Sequence, residues 1–420
     1  MQAKPQEIRP DVANRMAAMA LSLVPDVADA VGRGEPADAT LNRFFRAHKQ
    51  CGSRDRRFLG DLVFSYFRWK GWFGQHSRER ACALAWALDA HSPHPAGDAL
   101  IQRAGGVPDA LPPAGTLPLP EKAKIAAQWL DLKSLPAAAA LVPGWVTEQM
   151  PEDLDAFIEA IQRRPPTWLR ARRGAEGTVL AALQELTIPA RRHPVLVSAI
   201  SVPGSSPLLR LPAQVRALFE TQDLASQVVG LACAPRPGEA WWDVCAGSGG
   251  KTLHLADQMD DQGRVLATDI RETALRRLTQ RSAQAGHSCI HASPRAPEND
   301  RFDGVLVDAP CSGLGTWSRN PDARWRTRPE DMERRAAQQM EILAQAAAQV
   351  RTGGRLVYAV CTLTRRETDA VIGPFLSSQP GFRLDPFAHP LTGAESDGRL
   401  RVRPWDGPCD GMYIARFRRD

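Results

Sequence analysis

The sequence lacks three features that mark common classes of protein. No apolar run reaches the ~18 residues that a helix needs to span a bilayer. The N-terminal residues lack the basic stretch followed by an apolar stretch that is typical of a secretory signal. The eight cysteines are scattered, with no Cys-x-x-Cys pair, which argues against a structural zinc site and against a secreted disulfide framework. We therefore expect a cytoplasmic protein with free thiols, no metal site and no membrane partner.

The charge balance indicates the class of binding partner only weakly. The chain carries 53 lysine and arginine residues against 47 acidic residues, a formal net charge of +6. A mildly basic chain shifts the expectation toward a polyanionic partner without identifying one. At 420 residues the chain is long enough for two or three domains.

The first third of the chain has apolar residues at helical spacing. Residues 13–30, 40–49 and 55–70 each carry this pattern. In the third of these segments, Phe58 and Phe67 belong to one apolar stripe, which predicts a buried helix face. Residues 1–140 are therefore predicted to form an all-helical domain.

Residues 141–225 show a mixed pattern and are predicted to form a small α+β module. Apolar stretches at 166–172 and 195–202 predict strands, and residues 178–186 predict a helix between them. The module is rich in arginine, which contacts phosphates and stacks on bases, and Trp168 lies among the arginines. These arginines are Arg163, Arg164, Arg170, Arg172, Arg173, Arg191 and Arg192. Their density favours a surface that faces RNA.

Strands and helices alternate in the rest of the chain, residues 226–420. The predicted strands are residues 240–245, 264–269, 288–292, 303–308 and 355–361. The predicted helices are residues 251–258, 271–285, 329–350 and 364–377. This alternation is typical of the α/β class and predicts a doubly wound parallel sheet.

The first of these strands leads into a glycine-rich turn, residues 242–252 (Trp-Asp-Val-Cys-Ala-Gly-Ser-Gly-Gly-Lys-Thr). A phosphate-binding P-loop requires a glycine where Cys245 stands, and a dinucleotide fingerprint requires one where Thr252 stands. A third candidate is a site for S-adenosylmethionine. That site needs an acid at the end of the next strand to bind the ribose hydroxyls, and Asp269 is in that place.

Two of the predicted strands end beside a cysteine. Asp308 ends one strand and Pro310 holds Cys311 just beyond it, while Cys361 ends the next strand. Either cysteine alone is most simply a small buried apolar residue. Both together, with Asp308, at the sheet edge where α/β folds bind ligands, indicate catalysis. Methylation of pyrimidine carbon 5 needs such a set: a thiolate that adds to carbon 6, an acid that contacts the base and a group that assists release.

Six segments resemble the bacterial Sun/Fmu-type RNA 5-methylcytosine methyltransferases. Residues 52–63 resemble the signature of their N-terminal NusB-like domain, and residues 222–227 resemble the segment that leads into their catalytic domain. Residues 308–313 (Asp-Ala-Pro-Cys-Ser-Gly) and 358–362 (Tyr-Ala-Val-Cys-Thr) resemble the two cysteine motifs. Residues 319–325 and 409–415 resemble two further segments. The resemblance implies a class I, Rossmann-like methyltransferase domain that follows an RNA-binding NusB-like domain.

The resemblance also implies an activity and a role for each residue. The expected reaction is S-adenosyl-L-methionine-dependent methylation of cytosine carbon 5 in RNA, ribosomal RNA first and transfer RNA second, by a monomer. Cys361 would be the nucleophile and Cys311 would assist proton loss or product release. Asp308 would hold the cytosine, and Lys251 would lie between cofactor and base, where its charge favours the thiolate. DNA cytosine methyltransferases use the cysteine after a proline, here Cys311, and membership of that group would exchange the two roles. The implied cofactor-binding residues are Cys245, Ala246, Gly247, Ser248, Gly249, Gly250, Lys251, Asp269, Ser293 and Asp308.

The sequence departs from the family at three positions. The first family motif reads Cys-Ala-Ala-Pro-Gly-Gly-Lys, and here Gly247 and Ser248 replace its second alanine and its proline, which predicts a more flexible turn. Ser293 stands where the family has an acid that takes the adenine amine. Two alternatives stay open. One is a ribosome-assembly or RNA-binding protein of the same fold with reduced catalysis. The other is a small-molecule methyltransferase, which leaves the helical N-terminus, the arginine-rich module and the second cysteine unexplained.

Overall fold

The computed structural model describes residues 9–89, 94–105, 117–150, 153–298 and 300–420. The chain forms two compact units, one made of Met1–Arg163 with Trp317–Arg328 and the other of Arg164–Thr316 with Pro329–Asp420. The expected division after residues 140 and 225 stays a prediction. In the part of the chain that the structure describes, no helix is long and apolar enough to cross a bilayer.

The elements are as follows. The helices are α1 (Pro10–Gly32), α2 (Ala37–Ala47), α3 (Ser53–Trp69), α4 (Arg78–Leu88), α5 (Pro95–Arg103), α6 (Leu119–Trp129), α7 (Trp145–Gln149), α8 (Leu154–Ile161), α9 (Glu176–Glu185), α10 (Ala213–Arg216), α11 (Leu224–Cys233), α12 (Gly250–Gln258), α13 (Glu272–Ala285), α14 (Ala323–Arg326), α15 (Pro329–Ala348) and α16 (Asp369–Ser378). The strands are β1 (Thr167–Ala171), β2 (Arg191–Arg192), β3 (Ala199–Val202), β4 (Phe219–Thr221), β5 (Ala240–Asp243), β6 (Arg264–Thr268), β7 (Ile290–Ser293), β8 (Phe302–Asp308), β9 (Val350–Val360), β10 (Phe382–Leu384), β11 (Phe387–Ala388), β12 (Glu395–Ser396), β13 (Arg399–Val402) and β14 (Met412–Arg419).

The first unit is helical, as the spacing of its apolar residues predicts. Phe58, Leu62 and Phe67 of α3 are buried in one core with apolar residues of α1, α4 and α5. The predicted apolar stripe is therefore confirmed as a packed face. The NusB-like character of this region stays a prediction.

A short segment from the second half of the sequence, Trp317–Arg328, belongs to this helical unit. Arg324 is fully buried and donates hydrogen bonds to backbone carbonyls, including that of Leu141 at 3.0 Å. The indole Nε1 of Trp325 donates to the carbonyl of Phe67 at 2.7 Å. The segment that resembles a family motif at residues 319–325 is thus anchored among the N-terminal helices, which nothing in the local pattern predicted.

In the second unit, residues 164–221 form a four-stranded antiparallel sheet with the order β2-β3-β1-β4. The predicted strand at 195–202 is shorter than expected, because β3 begins only at Ala199. The ring of His193 accepts hydrogen bonds from the amides of Val195 and Leu196, at 3.2 and 3.0 Å, and this turn leaves the Val195 side chain exposed. Strand β4, which pairs with β1, was not predicted.

The main sheet has the strand order β10-β14-β9-β8-β5-β6-β7, and β13 pairs with β14. The strands from β5 to β9 run parallel, and β14 is antiparallel to β9. Trp241 and Leu306 point to the face that α11 and α12 cover, whereas Trp242 and Val305 point to the face that α15 and α16 cover. The predicted α/β class with a doubly wound sheet is confirmed.

The strand order places a crevice at one edge of this sheet. After β5 the chain adds β6 and β7 on one side and then returns to add β8 on the other side. Ligands of open α/β sheets bind at such a switch point, outside the carboxyl ends of the strands. Asp243 at the end of β5 and Asp308 at the end of β8 flank this point.

Candidate active site

Two cysteine side chains meet at the carboxyl ends of β8 and β9. Because these strands are parallel neighbours, the loop after Asp308 and the residue after Val360 come together. The Sγ atoms of Cys311 and Cys361 are 3.3 Å apart, and neither residue forms a disulfide. The structure therefore brings together the two thiols that the sequence separates by 50 residues.

Lys251 and Asp308 form an ion pair beside these thiols. The Lys251 Nζ is 2.6 Å from Asp308 Oδ2. Burial lowers the pKa of Lys251, but the charge and the hydrogen bond of Asp308 and the nearby Cys361 thiol outweigh burial and raise the pKa above its ordinary value. Lys251 is thus a charged ammonium held at the site.

The contact between the two thiols changes the pKa of Cys311. The hydrogen bond with Cys361 is the largest influence on Cys311, followed by burial, and together they raise the pKa of Cys311 well above its ordinary value. Cys311 therefore favours its protonated form, and either sulfur can act as the donor in the contact between the two thiols. The Cys361 sulfur thus has a second thiol at 3.3 Å and the Lys251 ammonium nearby.

A buried carboxylate joins the two cysteine loops. Glu367 is fully buried, and its Oε1 accepts hydrogen bonds from the Ser312 amide at 2.8 Å and from Gln339 Nε2 at 3.1 Å. Its Oε2 accepts from Thr364 Oγ1 at 3.1 Å. Ser312 follows Cys311, and Thr364 lies three residues after Cys361, so one side chain holds both loops. Glu367 was not predicted, because its place in a charged stretch after two arginines predicts an exposed residue.

The glycine-rich turn connects β5 to α12. Gly247 and Gly249 have φ values of +56° and +91°, which side chains with a Cβ rarely adopt. A Cβ on Gly249 would also lie 2.7 Å from Leu278 Cγ, so this turn packs directly on α13. Ser248 lies between the two glycines, and its contacts with Arg281 hold the turn from outside.

Asp269 comes directly after β6 and faces this turn. Its Oδ2 accepts from the Gly247 amide at 2.8 Å, and its Oδ1 accepts from the Arg271 amide at 2.8 Å and from Arg271 Nε at 3.1 Å. Burial raises the pKa of Asp269, but the hydrogen bonds from Arg271 and Gly247 outweigh burial and lower it. Asp269 is thus a carboxylate at the expected strand end.

A cavity of about 780 Å³ lies over these strand ends. Eight of the ten residues predicted to bind the cofactor line it: Cys245, Ala246, Gly247, Ser248, Gly250, Lys251, Asp269 and Asp308. Gly249 instead lies against α13. The structure does not bring Ser293 to this cavity, because its hydroxyl closes a turn by accepting from the Arg295 amide at 3.1 Å and donating to the Arg295 carbonyl at 3.0 Å. The thiols lie beside the cavity, next to its wall residue Pro310.

Several cavity residues were not predicted. Asp243 is fully buried. Its Oδ2 accepts from Thr252 Oγ1 at 2.7 Å, and its Oδ1 has no partner among the residues that the structure describes. Burial raises the pKa of Asp243 to about 7. Ile270 also lines the cavity, with 94% of its surface exposed. A pattern that ends a strand on an acid marks Asp243 as a candidate, but no local signal marks Ile270.

The strand order, the glycine-rich turn after the first strand of the sheet and the acid after the second define a Rossmann-like methyltransferase domain. The crystal structure of PH0851 has the same fold, with a TM-score of 0.72 and 22% sequence identity, and the match covers 99% of this chain and 100% of that one.

The sequence of the chain is similar to those of one family of methyltransferases. The model of the 16S rRNA methyltransferase RsmB/F family matches residues 230–418. The chain is 32% identical over 292 residues to ribosomal RNA small subunit methyltransferase B of Salmonella arizonae, covering 67% of each protein. It is 35% identical over 213 residues to the probable ribosomal RNA small subunit methyltransferase B of Bacillus subtilis, covering 47% of each protein. The chain belongs to the RsmB/F family, and it spans between about half and two thirds of the length of these curated relatives.

Proposed function

We propose that the protein is an S-adenosyl-L-methionine-dependent RNA (cytosine-5-)-methyltransferase that acts on ribosomal RNA through a covalent adduct with Cys361. The observation that carries this proposal is the pair of thiols 3.3 Å apart, next to the Lys251–Asp308 ion pair. A single thiol suffices for many reactions, but addition to the base followed by release needs two groups at one place. The family and the names of the relatives support ribosomal RNA as the substrate.

The cavity residues fit the cofactor. A cavity of about 780 Å³ is in the range of small-molecule sites. The ribose hydroxyls would share the Asp269 carboxylate with Arg271 and the Gly247 amide. The Oδ1 of Asp243, which has no partner among the described residues, is an acceptor for a donor group such as an ammonium. The exposed Ile270 offers an apolar surface to a flat ring. When bound, S-adenosyl-L-methionine supplies a methyl group on a positively charged sulfur.

The residues of the chain would divide the remaining chemistry. Cys361, stabilised as a thiolate by Cys311 and Lys251, adds to carbon 6 of the cytosine, which makes carbon 5 nucleophilic. Asp308 accepts a hydrogen bond from the exocyclic amine and so holds the ring. Once carbon 5 carries its methyl group, its proton must leave before the Cys361–carbon 6 bond can break. The proton passes to water, and Cys311, directly beside Cys361, assists release by donating a hydrogen bond to the Cys361 thiolate as it departs.

The partner, the location and the domain roles belong to the same proposal. The arginine-rich module, whose Arg191 and Arg192 are exposed on β2, is proposed to contact RNA phosphates. The helical first unit is proposed to be a NusB-like RNA-binding domain. Bacterial ribosomal RNA lies in the cytoplasm, and we propose that the protein acts there as a monomer. Transfer RNA is the second candidate substrate.

One observation favours a second candidate, a ribosome-assembly or RNA-binding protein with reduced catalysis. Arg271 occupies the carboxylate of Asp269, which the ribose of the cofactor would have to share. Because two-thirds of the Arg271 side chain is exposed, solvent competes with this pair, and Arg271 can leave at little cost. Calorimetric titration with S-adenosylhomocysteine separates the candidates, since undetectable binding would contradict the enzyme.

Cysteine replacement tests the mechanism. We expect Cys361→Ala to abolish methylation of 16S ribosomal RNA, and Cys311→Ala to accumulate a covalent RNA–protein adduct on denaturing gels, because release is then slowed. Cys289→Ala, at a buried thiol elsewhere in the same unit, is the control and should methylate normally. An adduct that requires Cys311 and survives Cys361→Ala would reverse the two roles. Bisulfite sequencing of ribosomal and transfer RNA from a deletion strain would then identify the target cytosine.

A further inference from the structure

The glycine-rich turn is held by an arginine from the neighbouring helix. Ser248 occupies the position where the resembling family motif has proline, so this turn lacks the fixed φ angle that proline provides. Arg281, on α13, donates from Nη1 to the carbonyl oxygen of Ser248 at 2.5 Å and to its hydroxyl at 3.2 Å. The carbonyl and the hydroxyl of Ser248 therefore both accept hydrogen bonds from one guanidinium.

The same guanidinium is fixed from its other side by the small module. Its Nη2 forms an ion pair with Glu220 of β4, and the two side chains are only 27% and 19% exposed. Glu220 itself lies opposite Arg170 in the β1–β4 ladder. A partly buried arginine that is held at both ends of its planar group loses most of its freedom, so it can restrain the atoms to which it donates.

A second contact from the same strand end restrains the turn on the other side of Gly249. Gln222, the residue after β4, donates from Nε2 to the Gly250 carbonyl at 3.3 Å. Its Oε1 accepts from Arg170 Nε at 2.7 Å, and its amide donates to the Trp168 carbonyl at 3.0 Å. The carbonyls of Ser248 and Gly250 are thus both tied to side chains that β4 positions.

We propose that Arg281 and Glu220 are positioning residues for the cofactor turn. They restrain the turn where Gly247 and Ser248 replace the more rigid Ala-Pro of the family motif. Because Glu220 belongs to the small module, this module becomes a structural part of the cofactor site. The inference rests on the proposed function in that this turn binds S-adenosyl-L-methionine. It adds that the affinity for the cofactor depends on a strand outside the main sheet.

Calorimetric titration of the full chain with S-adenosylhomocysteine tests the inference. We expect Arg281→Met to weaken binding about tenfold, the equivalent of one charged hydrogen-bonded contact. Glu220→Gln should weaken it less, and the double variant should bind no more weakly than Arg281→Met, because both residues act through one contact. The matched control is Arg276→Met on the same helix, whose ion pair with Glu272 is exposed, and it should bind like the parent protein.

The family residue supplies the decisive comparison. In the Ser248→Pro background the turn is restrained by its own backbone, so Arg281→Met should cost less than about threefold in affinity. Amide hydrogen exchange at residues 247–251 should be faster in Arg281→Met than in the parent protein. When Arg281→Met is combined with Ser248→Pro, the exchange rate should be close to that of the parent protein. An equal loss of affinity in both backgrounds, or a parent-like affinity of Arg281→Met, would overturn the inference. If the parent protein itself fails to bind S-adenosylhomocysteine, the proposed function fails, while unchanged exchange at 247–251 in Arg281→Met separately contradicts the positioning role.

Discussion

Glu367→Ala removes the carboxylate that joins the two cysteine loops, and its effect follows from the contacts of that carboxylate. The Ser312 amide, the Gln339 amide group and the Thr364 hydroxyl would lose an acceptor that is fully buried. Each buried donor left without a partner costs about 1–3 kcal/mol. We therefore expect the free energy of unfolding to fall by about 4 kcal/mol, since Thr364 can turn to a neighbouring hydroxyl.

Glu367→Gln separates the hydrogen bonds from the charge. The glutamine oxygen can still accept from Ser312 and Gln339, and its amide can donate to the Thr364 oxygen. This variant should lose only about 1 kcal/mol. The negative charge of Glu367 is one of the influences that raise the pKa of Cys311 in the parent protein. The Cys311 thiol should therefore be somewhat more acidic in Glu367→Gln.

Urea unfolding followed by tryptophan fluorescence measures the stability, and the rate of covalent adduct formation with RNA measures the positions of the loops. Glu367→Ala should lose the adduct, while Glu367→Gln should keep most of it. Glu395→Ala, at an exposed position on β12, is the control and should match the parent protein in both assays. A loss below about 1 kcal/mol for Glu367→Ala would show that the carboxylate does not hold the loops.

Two further predictions concern the cofactor side of the site. Burial raises the pKa of Asp243 to about 7, so its contribution to stability is complete below the ordinary aspartate pKa of 3.8 and is lost as the pH rises through 7. The unfolding free energy of the parent protein relative to Asp243→Asn should therefore fall by up to about 4 kcal/mol between pH 4 and pH 8, and a constant difference would contradict the raised pKa. Gly249→Ala should destabilise the protein by about 3 kcal/mol, since it adds both strain at φ +91° and an overlap with Leu278. Gly286→Ala, at φ +73° with open space around it, isolates the strain and should cost about 1 kcal/mol; equal losses would show that the overlap is relieved.

The elements around the site were predictable because their signals are local. An apolar run such as Val305–Val307 on β8 is buried on both faces, and that property follows from its own side chains. The turn after β5 requires a positive φ at Gly249, which glycine adopts readily, and a glycine-rich stretch in the sequence indicates such a turn. The bounds of β3 were less predictable, because the ring of His193 accepts from the amides of Val195 and Leu196, where the predicted strand begins. Nothing in the residue pattern of the strand indicates that contact.

The site itself was predictable only in part. The sequence placed Asp308, Cys311 and Cys361 at strand ends, and strand adjacency then brought the thiols within 3.3 Å. Ser293 could be aligned with a family acid, but its hydroxyl turns to the backbone of Arg295 instead of the cavity. Glu367 was missed because burial depends on what packs around a residue, not on its neighbours in the chain.

The α/β class, the glycine-rich turn and the set of groups at the strand ends follow from local sequence patterns, because side-chain alternation and backbone freedom act over a few residues. Which of these groups touch depends on the folded chain. It placed Cys311 beside Cys361, Glu367 between their loops, Arg281 on Ser248 and the segment around Arg324 among the N-terminal helices. Such contacts join residues from 33 to 258 positions apart. Their geometry depends on strand order, register and packing, which no short stretch of sequence contains.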